Sequence, residues 1–249
     1  MTLAETLSDP SSGVLTRPPT AVTYAELQKA FDHFNERLFD GELPPCLLTL
    51  QREKKTYGYF SHRRFISSAA GQTFTDEIAL NPAYFATGGL LETLQTIVHE
   101  MVHLWQAHFG KPGRARYHNK EFAAKMKAVG LMPSSTGKPG GAETGEKMAD
   151  YAIEGGPFLA AVAELATEHF RISWHDRYCE GLADAHPDSI AELIAAGVIV
   201  QGQEAKPSKP TRVKYQCKPT KTNVWGKPGL TLFCSIDGGQ TMHPFEPME

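Results

Sequence analysis

Residues 99–103 read His-Glu-Met-Val-His, and this spacing constrains the chain more than any other segment. On a helix, positions four apart lie one turn above one another, so both imidazoles can face a single metal ion. Glu100, next to the pair, can take a proton from a metal-bound water without itself being a ligand. Zinc held by three protein ligands with one open position lowers the pKa of bound water to about 7. The pattern H-E-x-x-H thus points to metal-assisted attack on a carbonyl. From Leu90 to Trp105, with Leu94, Ile97, Val98, Met101, Val102 and Leu104, the flanks carry a broad apolar face at helical spacing. Histidines and a glutamate facing inward from such a helix are costly without partners or a metal.

A third ligand must come from farther along. Gly110-Lys111-Pro112-Gly113 ends the helix and turns the chain back. His118 follows, and Asn119 is an N-cap candidate for a helix from Lys120 to Val129. Phe122, Met126 and Val129 give that helix an inward face that carries His118 toward the pair. The rival, His108, lies about 140° around the helix from His103 and should point away from the site.

Four segments are expected. Residues 1–20, rich in Ser, Thr and Pro, form a disordered leader. Residues 21–135 form the metal-binding domain. It holds an amphipathic helix at Tyr24–Phe39, strands at Leu47–Leu50, Thr56–Ser61 and Thr75–Leu80, and then two helices. Asn81-Pro82 marks a helix start. Residues 136–205 are an extension. Its Gly- and Pro-punctuated stretch 133–157 reads as a lid or flexible loop, and Phe158–His169 and Asp188–Val198 read as helices with Trp174 in the core. Residues 206–249 are a small basic β module. The order suits an α+β fold in which a small sheet flanks the active-site helix.

The combined motifs resemble the SprT-like (Spartan-type) zinc metalloproteases over residues 22–135. The resemblance rests on Phe31, Phe34-Asn35, Leu38-Phe39 and Gly41-Glu42-Leu43-Pro44. It continues through Tyr57-Gly58-Tyr59-Phe60, Ile78-Ala79-Leu80-Asn81-Pro82, the H-E-M-V-H helix and His118-Asn119-Lys120-Glu121-Phe122. It implies a minimal zincin with one Zn2+ on His99, His103 and His118, and Glu100 as catalytic base. In zincins an edge strand pairs with the extended substrate, and Thr75–Leu80 is the expected strand. Tyr151 or Tyr117 could donate to the oxyanion.

The tail segregates the charge of a chain with net charge −3. Lys206, Lys209, Arg212, Lys214, Lys218, Lys221 and Lys227 lie between Lys206 and Ile236, a stretch without Asp or Glu. With Tyr215, Trp225 and Phe233 interleaved, such a run suits phosphate contacts and base stacking, or simply a solvated basic linker to a β module. The family resemblance favours nucleic acid, which makes Lys209, Arg212, Lys214, Lys218, Lys221, Trp225 and Lys227 the expected DNA contacts. The tail also resembles the zinc ribbon of SprT-like proteins with half its ligands lost, since its knuckles read Cys217-x-x-Thr220 and Cys234-x-x-Asp237. Cys217, Cys234, Asp237 and His243 would be a poor mixed ligand set. A degenerate ribbon-like module shaped by Trp225 and Leu230 packing, with no metal, is expected.

No apolar run reaches membrane-spanning length, and the start lacks a basic and apolar signal pattern. Four scattered cysteines, Cys46, Cys179, Cys217 and Cys234, give no disulfide framework. A cytoplasmic location is expected. Two functions fit: a zinc endopeptidase acting on a protein substrate associated with DNA, as in DNA–protein crosslinks, or a nucleic-acid-binding factor using the zincin as a scaffold. The intact Glu100 favours the enzyme, because a scaffold needs ligands but no base.

Overall fold

Leu27, Ala30, Phe31 and Phe34 recur at helical spacing and are fully or almost fully buried on one face of α1 (Pro19–Phe39). The helix begins within the expected leader, at Pro19, and ends at Asp40 in a left-handed conformation. There Asn35 fixes the turn by accepting from the Leu43 amide at 3.1 Å and donating to the Leu43 carbonyl at 3.2 Å. The computed structural model describes residues 17–69, 71–114, 117–179 and 212–248, with scattered positions between 191 and 197. Most of the expected helix Asp188–Val198, and the DNA contact expected of Lys209, lie outside the described residues. The chain combines helices and strands in an α+β fold and divides into two units, 1–200 and 201–249.

In the first unit, β1 (Leu47–Leu50), β2 (Gly58–Ile66) and β3 (Phe74–Leu80) form a sheet in the order β1-β3-β2. β1 runs parallel to β3 and β2 antiparallel to it. This order corrects the expected substrate edge: Thr75–Leu80 belongs to the central strand, whose main chain is paired on both sides, and β1 and β2 are the two edges. Asn81 closes the sheet end by donating to the Glu53 and Thr56 carbonyls, both at 2.9 Å. Its Oδ1 accepts from Ala83 at 3.1 Å and starts the 3-10 turn Pro82–Tyr84.

That turn feeds α2 (Phe85–Phe109), which breaks at Gly89 (φ 70°, ψ −177°), a backbone conformation open essentially to glycine alone. Beyond the break, Leu94, Ile97, Val98, Met101, Val102 and Leu104 all face the core. Each such side chain contributes about 1.5–3 kcal/mol by leaving water. The close approach of β2 to α2 requires Gly58. A Cβ there would lie 2.8 Å from Thr96 Cγ2, 3.0 Å from the Ala79 carbonyl and 3.4 Å from Glu100 Cγ.

Asn119 caps α3 (Lys120–Ala128), accepting from the Phe122 amide at 3.0 Å. The expected loop 133–157 is in part a β-hairpin. β4 (Leu131–Ser134) pairs antiparallel with β5 (Ala149–Ala152), and α4 (Pro157–Thr167) follows. α4 joins the same core through Phe158, Ala161 and Leu165, with Phe158 stacked on Phe34 at 5.8 Å. Trp174, expected in the core, is 40% exposed; Phe170 and Ile172, alternating along the segment after α4, fill that place. The second unit is a four-stranded sheet of β6 (Val213–Cys217), β7 (Asn223–Gly226), β8 (Phe233–Cys234) and β9 (His243–Pro247), ordered β7-β6-β9-β8.

Candidate metal centre

His99 and His103 stand one turn apart on α2, where the apolar stripe of the helix turns toward the sheet and the hairpin. His118 arrives from the other side, in the residue before the α3 cap. A two-way bridge fixes its backbone: His118 donates to the Gly145 carbonyl at 2.8 Å, and Gly145 donates back at 3.1 Å. The three side chains converge. His118 Nε2 lies 3.2 Å from His99 Nε2 and 3.1 Å from His103 Nε2.

Two nitrogens each bound to one tetrahedral zinc would lie about 3.3 Å apart, so the donor set fits a single divalent ion. Groups behind the histidines aim two of them. His99 Nδ1 donates to Asp150 Oδ2 at 2.9 Å, and His118 Nδ1 to the Gly145 carbonyl at 3.1 Å. Both contacts leave Nε2 free to ligate. Gln95 holds the other Asp150 oxygen at 3.3 Å. Phe122 touches all three imidazoles, with ring centroids 5.2, 4.3 and 4.7 Å from His99, His103 and His118. Phe60, on the sheet edge, stacks on His103 at 6.4 Å with the planes only 11° apart.

Electrostatics prepare the same chemistry. Burial and the neighbouring His99 push His103 well below its usual pKa. The same two causes take His118 down to about 4. Both imidazoles are therefore neutral near pH 7, the form that donates a lone pair to a metal. Burial alone would also lower His99, but the Asp150 hydrogen bond and the charge of Glu100 raise it. Glu100 is buried beside the histidines, and desolvation pushes its carboxyl up to about 7 against the opposing effects of His99 and the Phe60 amide.

The histidines named from the sequence thus come together, with Glu100 next to them. His108 stays outside the group and pairs with Asp76 at 2.6 Å. Asp150 and Gly145 had no sequence signal, since both lie in the Gly-rich stretch read as a loop. β5 places Tyr151 on the strand face opposite Asp150, turned from His99. Tyr117 lies under the Arg114 guanidinium, 5.5 Å from the ring centre.

In the second unit, Arg212, Lys218, Lys221 and Lys227 are exposed and Lys214 is half-buried. Lys218 pairs with Glu246 at 2.5 Å. Trp225 and Leu230, expected to pack, are 65% and 44% exposed; Tyr215 and Cys217 form the buried centre instead. Tyr215 holds that centre by donating to the Lys227 carbonyl at 2.8 Å and accepting from the Leu230 amide at 3.1 Å. Thr220 Oγ1 lies 3.9 Å from Cys234 Sγ, and the Asp237 carboxylate is taken by Ser235 at 2.7 Å and Thr241 at 2.8 Å.

A buried triad of histidines that could hold a metal ion thus sits on an α+β scaffold. The family model described as the SprT-like family matches residues 27–139. A protein of Salmonella typhimurium described as "Uncharacterized protein in mucB 3'region" is 63% identical over 60 residues, covering 24% of this chain and 80% of that protein. No solved structure matches. The chain belongs to the SprT-like family, which is associated with metallopeptidase activity. No helix among the described residues is long and apolar enough to cross a membrane.

Proposed function

We propose that this chain is a zinc-dependent endopeptidase of minimal zincin architecture that cuts proteins associated with DNA. The observation that carries this reading is the convergence of three imidazoles beside a buried carboxyl, with His118 Nε2 3.2 Å from His99 Nε2 and 3.1 Å from His103 Nε2. A zinc ion held by His99, His103 and His118 would lower the pKa of a coordinated water to about 7 and polarise the scissile carbonyl. Glu100 takes the proton of the attacking water and returns it to the leaving amine. Burial raises the Glu100 carboxyl above the usual carboxylate range, which favours a group that takes a proton and returns it. Asp150 and Gly145 hold the ligand rings in place while the charge changes. β2, the sheet edge packed on α2, is the strand that would pair with an extended substrate through its main chain, with Phe60 beside the site.

The second unit supplies the DNA contact in this reading. Lys214 and Trp225 are directly opposite one another on β6 and β7, so a cation and an exposed ring share one face. That pairing suits a backbone phosphate and a stacked base. Arg212, Lys218, Lys221 and Lys227 extend the charge. We read the sheet as a zinc ribbon that has lost its metal. Thr220 replaces a thiolate, and the Asp237 carboxylate is already bonded within its own loop.

The test is cleavage of a DNA-binding protein by wild type and Glu100→Gln, with and without single-stranded DNA at fixed salt. DNA-stimulated cleavage by wild type alone is expected. Equal cleavage by Glu100→Gln would overturn the mechanism, and no cleavage despite a bound metal would favour the scaffold reading.

A further inference from the structure

A second group of metal-type ligands lies on the first unit, outside the His99–His103–His118 triad. We propose that His62, Asp76 and His108 form a binding site for a further divalent cation of the zinc class. Their ligand atoms all lie within 4.8 Å of one another. His62 Nδ1 is 2.9 Å from Asp76 Oδ1, and His108 Nε2 is 2.6 Å from Asp76 Oδ2. The two imidazole rings meet edge to face at 5.5 Å.

Three separate elements build this cluster. Asp76 comes from central strand β3 and is buried. His108 comes from the last turn of α2. His62 comes from edge strand β2, where the register with β3 shifts between Ser61 and Phe65. Within that shift Arg63 adopts φ 48°, a left-handed conformation that is strained for a residue bearing a Cβ. The strained backbone aims the Arg63 amide at Asp76 Oδ1, 2.5 Å away. The carboxylate is thereby oriented from behind, with His62 and His108 on its other side.

The chemistry of the set selects the cation. Two imidazoles and one carboxylate form a borderline donor set that suits zinc and its neighbours, whereas calcium and magnesium prefer oxygen alone. The side chain of Asp76 is 5% exposed, but those of His62 and His108 are 48% and 33% exposed. Solvent can therefore complete the shell, as at zinc sites with three protein ligands and an open position. An ion here would clamp the C-terminal turn of α2 to the edge strand. It would also sit behind Phe60, whose ring is 6.5 Å from His62 and 6.4 Å from His103.

The experiment is equilibrium dialysis of the full-length, metal-stripped chain against about 10 µM free zinc, with bound metal counted by mass spectrometry. His62→Ala changes a half-exposed side chain, and circular dichroism checks its fold. Asp76→Asn is the second variant. Wild type should hold one more zinc than His62→Ala or Asp76→Asn, and His118→Ala should lose a different ion, so the losses add in the double variant. Cobalt(II) in place of zinc should show a visible band in His118→Ala that vanishes when His62→Ala is added. Equal zinc in wild type, His62→Ala and Asp76→Asn overturns this site and leaves the proposed catalytic centre intact. Loss in His62→Ala but none in His118→Ala supports this site and overturns the other.

Discussion

His99 and Asp150 are joined by a 2.9 Å hydrogen bond from Nδ1 to Oδ2, across fifty-one positions of sequence. The bond leaves Nε2 of His99 facing the His118 imidazole and ties α2 to β5. Replacing Asp150 by Ala should therefore weaken zinc binding about 10- to 100-fold while the fold persists. Competition with a chromogenic chelator measures this directly. Unchanged affinity would mean that the ring is oriented by packing on Phe122 alone.

Glu100→Gln should retain wild-type metal content and lose about 10²–10⁴-fold in cleavage rate. The amide keeps the shape of the carboxyl and cannot accept the proton. Metal analysis and a single-turnover assay on the same preparation separate the two effects. A parallel loss of metal would instead make Glu100 a structural support of the triad.

Gly58→Ala should destabilise the first unit by about 1–3 kcal/mol, read as a lower midpoint in urea. The added Cβ meets a short branched side chain and a backbone carbonyl, neither of which moves cheaply. Since Glu100 Cγ is the third neighbour, cleavage should fall further than stability explains.

Asp176 gives a pH dependence remote from both clusters. Burial would raise its carboxyl, but the Tyr178 amide and the Arg52 guanidinium, 2.6 Å away, hold it below the usual value. A depressed carboxyl contributes stability that is complete above its unfolded pKa of about 3.9 and is lost as pH falls through the lower folded value. Urea unfolding at a series of pH values should show wild type losing more stability below pH about 4 than Asp176→Asn does. Parallel curves would remove this ion pair from the account.

For the second unit, Lys214→Ala should reduce the salt dependence of single-stranded DNA binding by about one ion in the log–log slope. Trp225→Ala should cost about 1–3 kcal/mol with the slope unchanged. Fluorescence anisotropy over a salt series distinguishes them. Identical slopes for wild type and Lys214→Ala would take that lysine off the phosphate path.

The elements with strong local periodicity were legible in the sequence. α1, β1, α2 and the Asn119-capped α3 follow from apolar spacing and cap chemistry. His99 and His103 follow from one helical turn. What escaped depends on pairing between distant segments. Whether Thr75–Leu80 is an edge or a centre is decided by β1 and β2, not by its own residues. Asp150 sits in a four-residue strand within a glycine-rich run, too short to show alternation. The helical angle of His108 says where it does not point, and only the bulge in β2 shows what it meets. Trp225, expected to pack from the ribbon resemblance, is 65% exposed, and Tyr215 and Cys217 form the buried centre of the small sheet instead.

The position of the hairpin also sets where this protein can be cut down in the laboratory. A fragment trimmed to the family match at residue 139 would keep all three histidines and Glu100. It would lack the Gly145 carbonyl and the Asp150 carboxylate, the two groups that steer His118 and His99. Such a fragment would carry every residue of the motif and a loosely aimed pair of ligands. The smallest working unit therefore runs at least through Ala152, the last residue of the strand that bears Asp150.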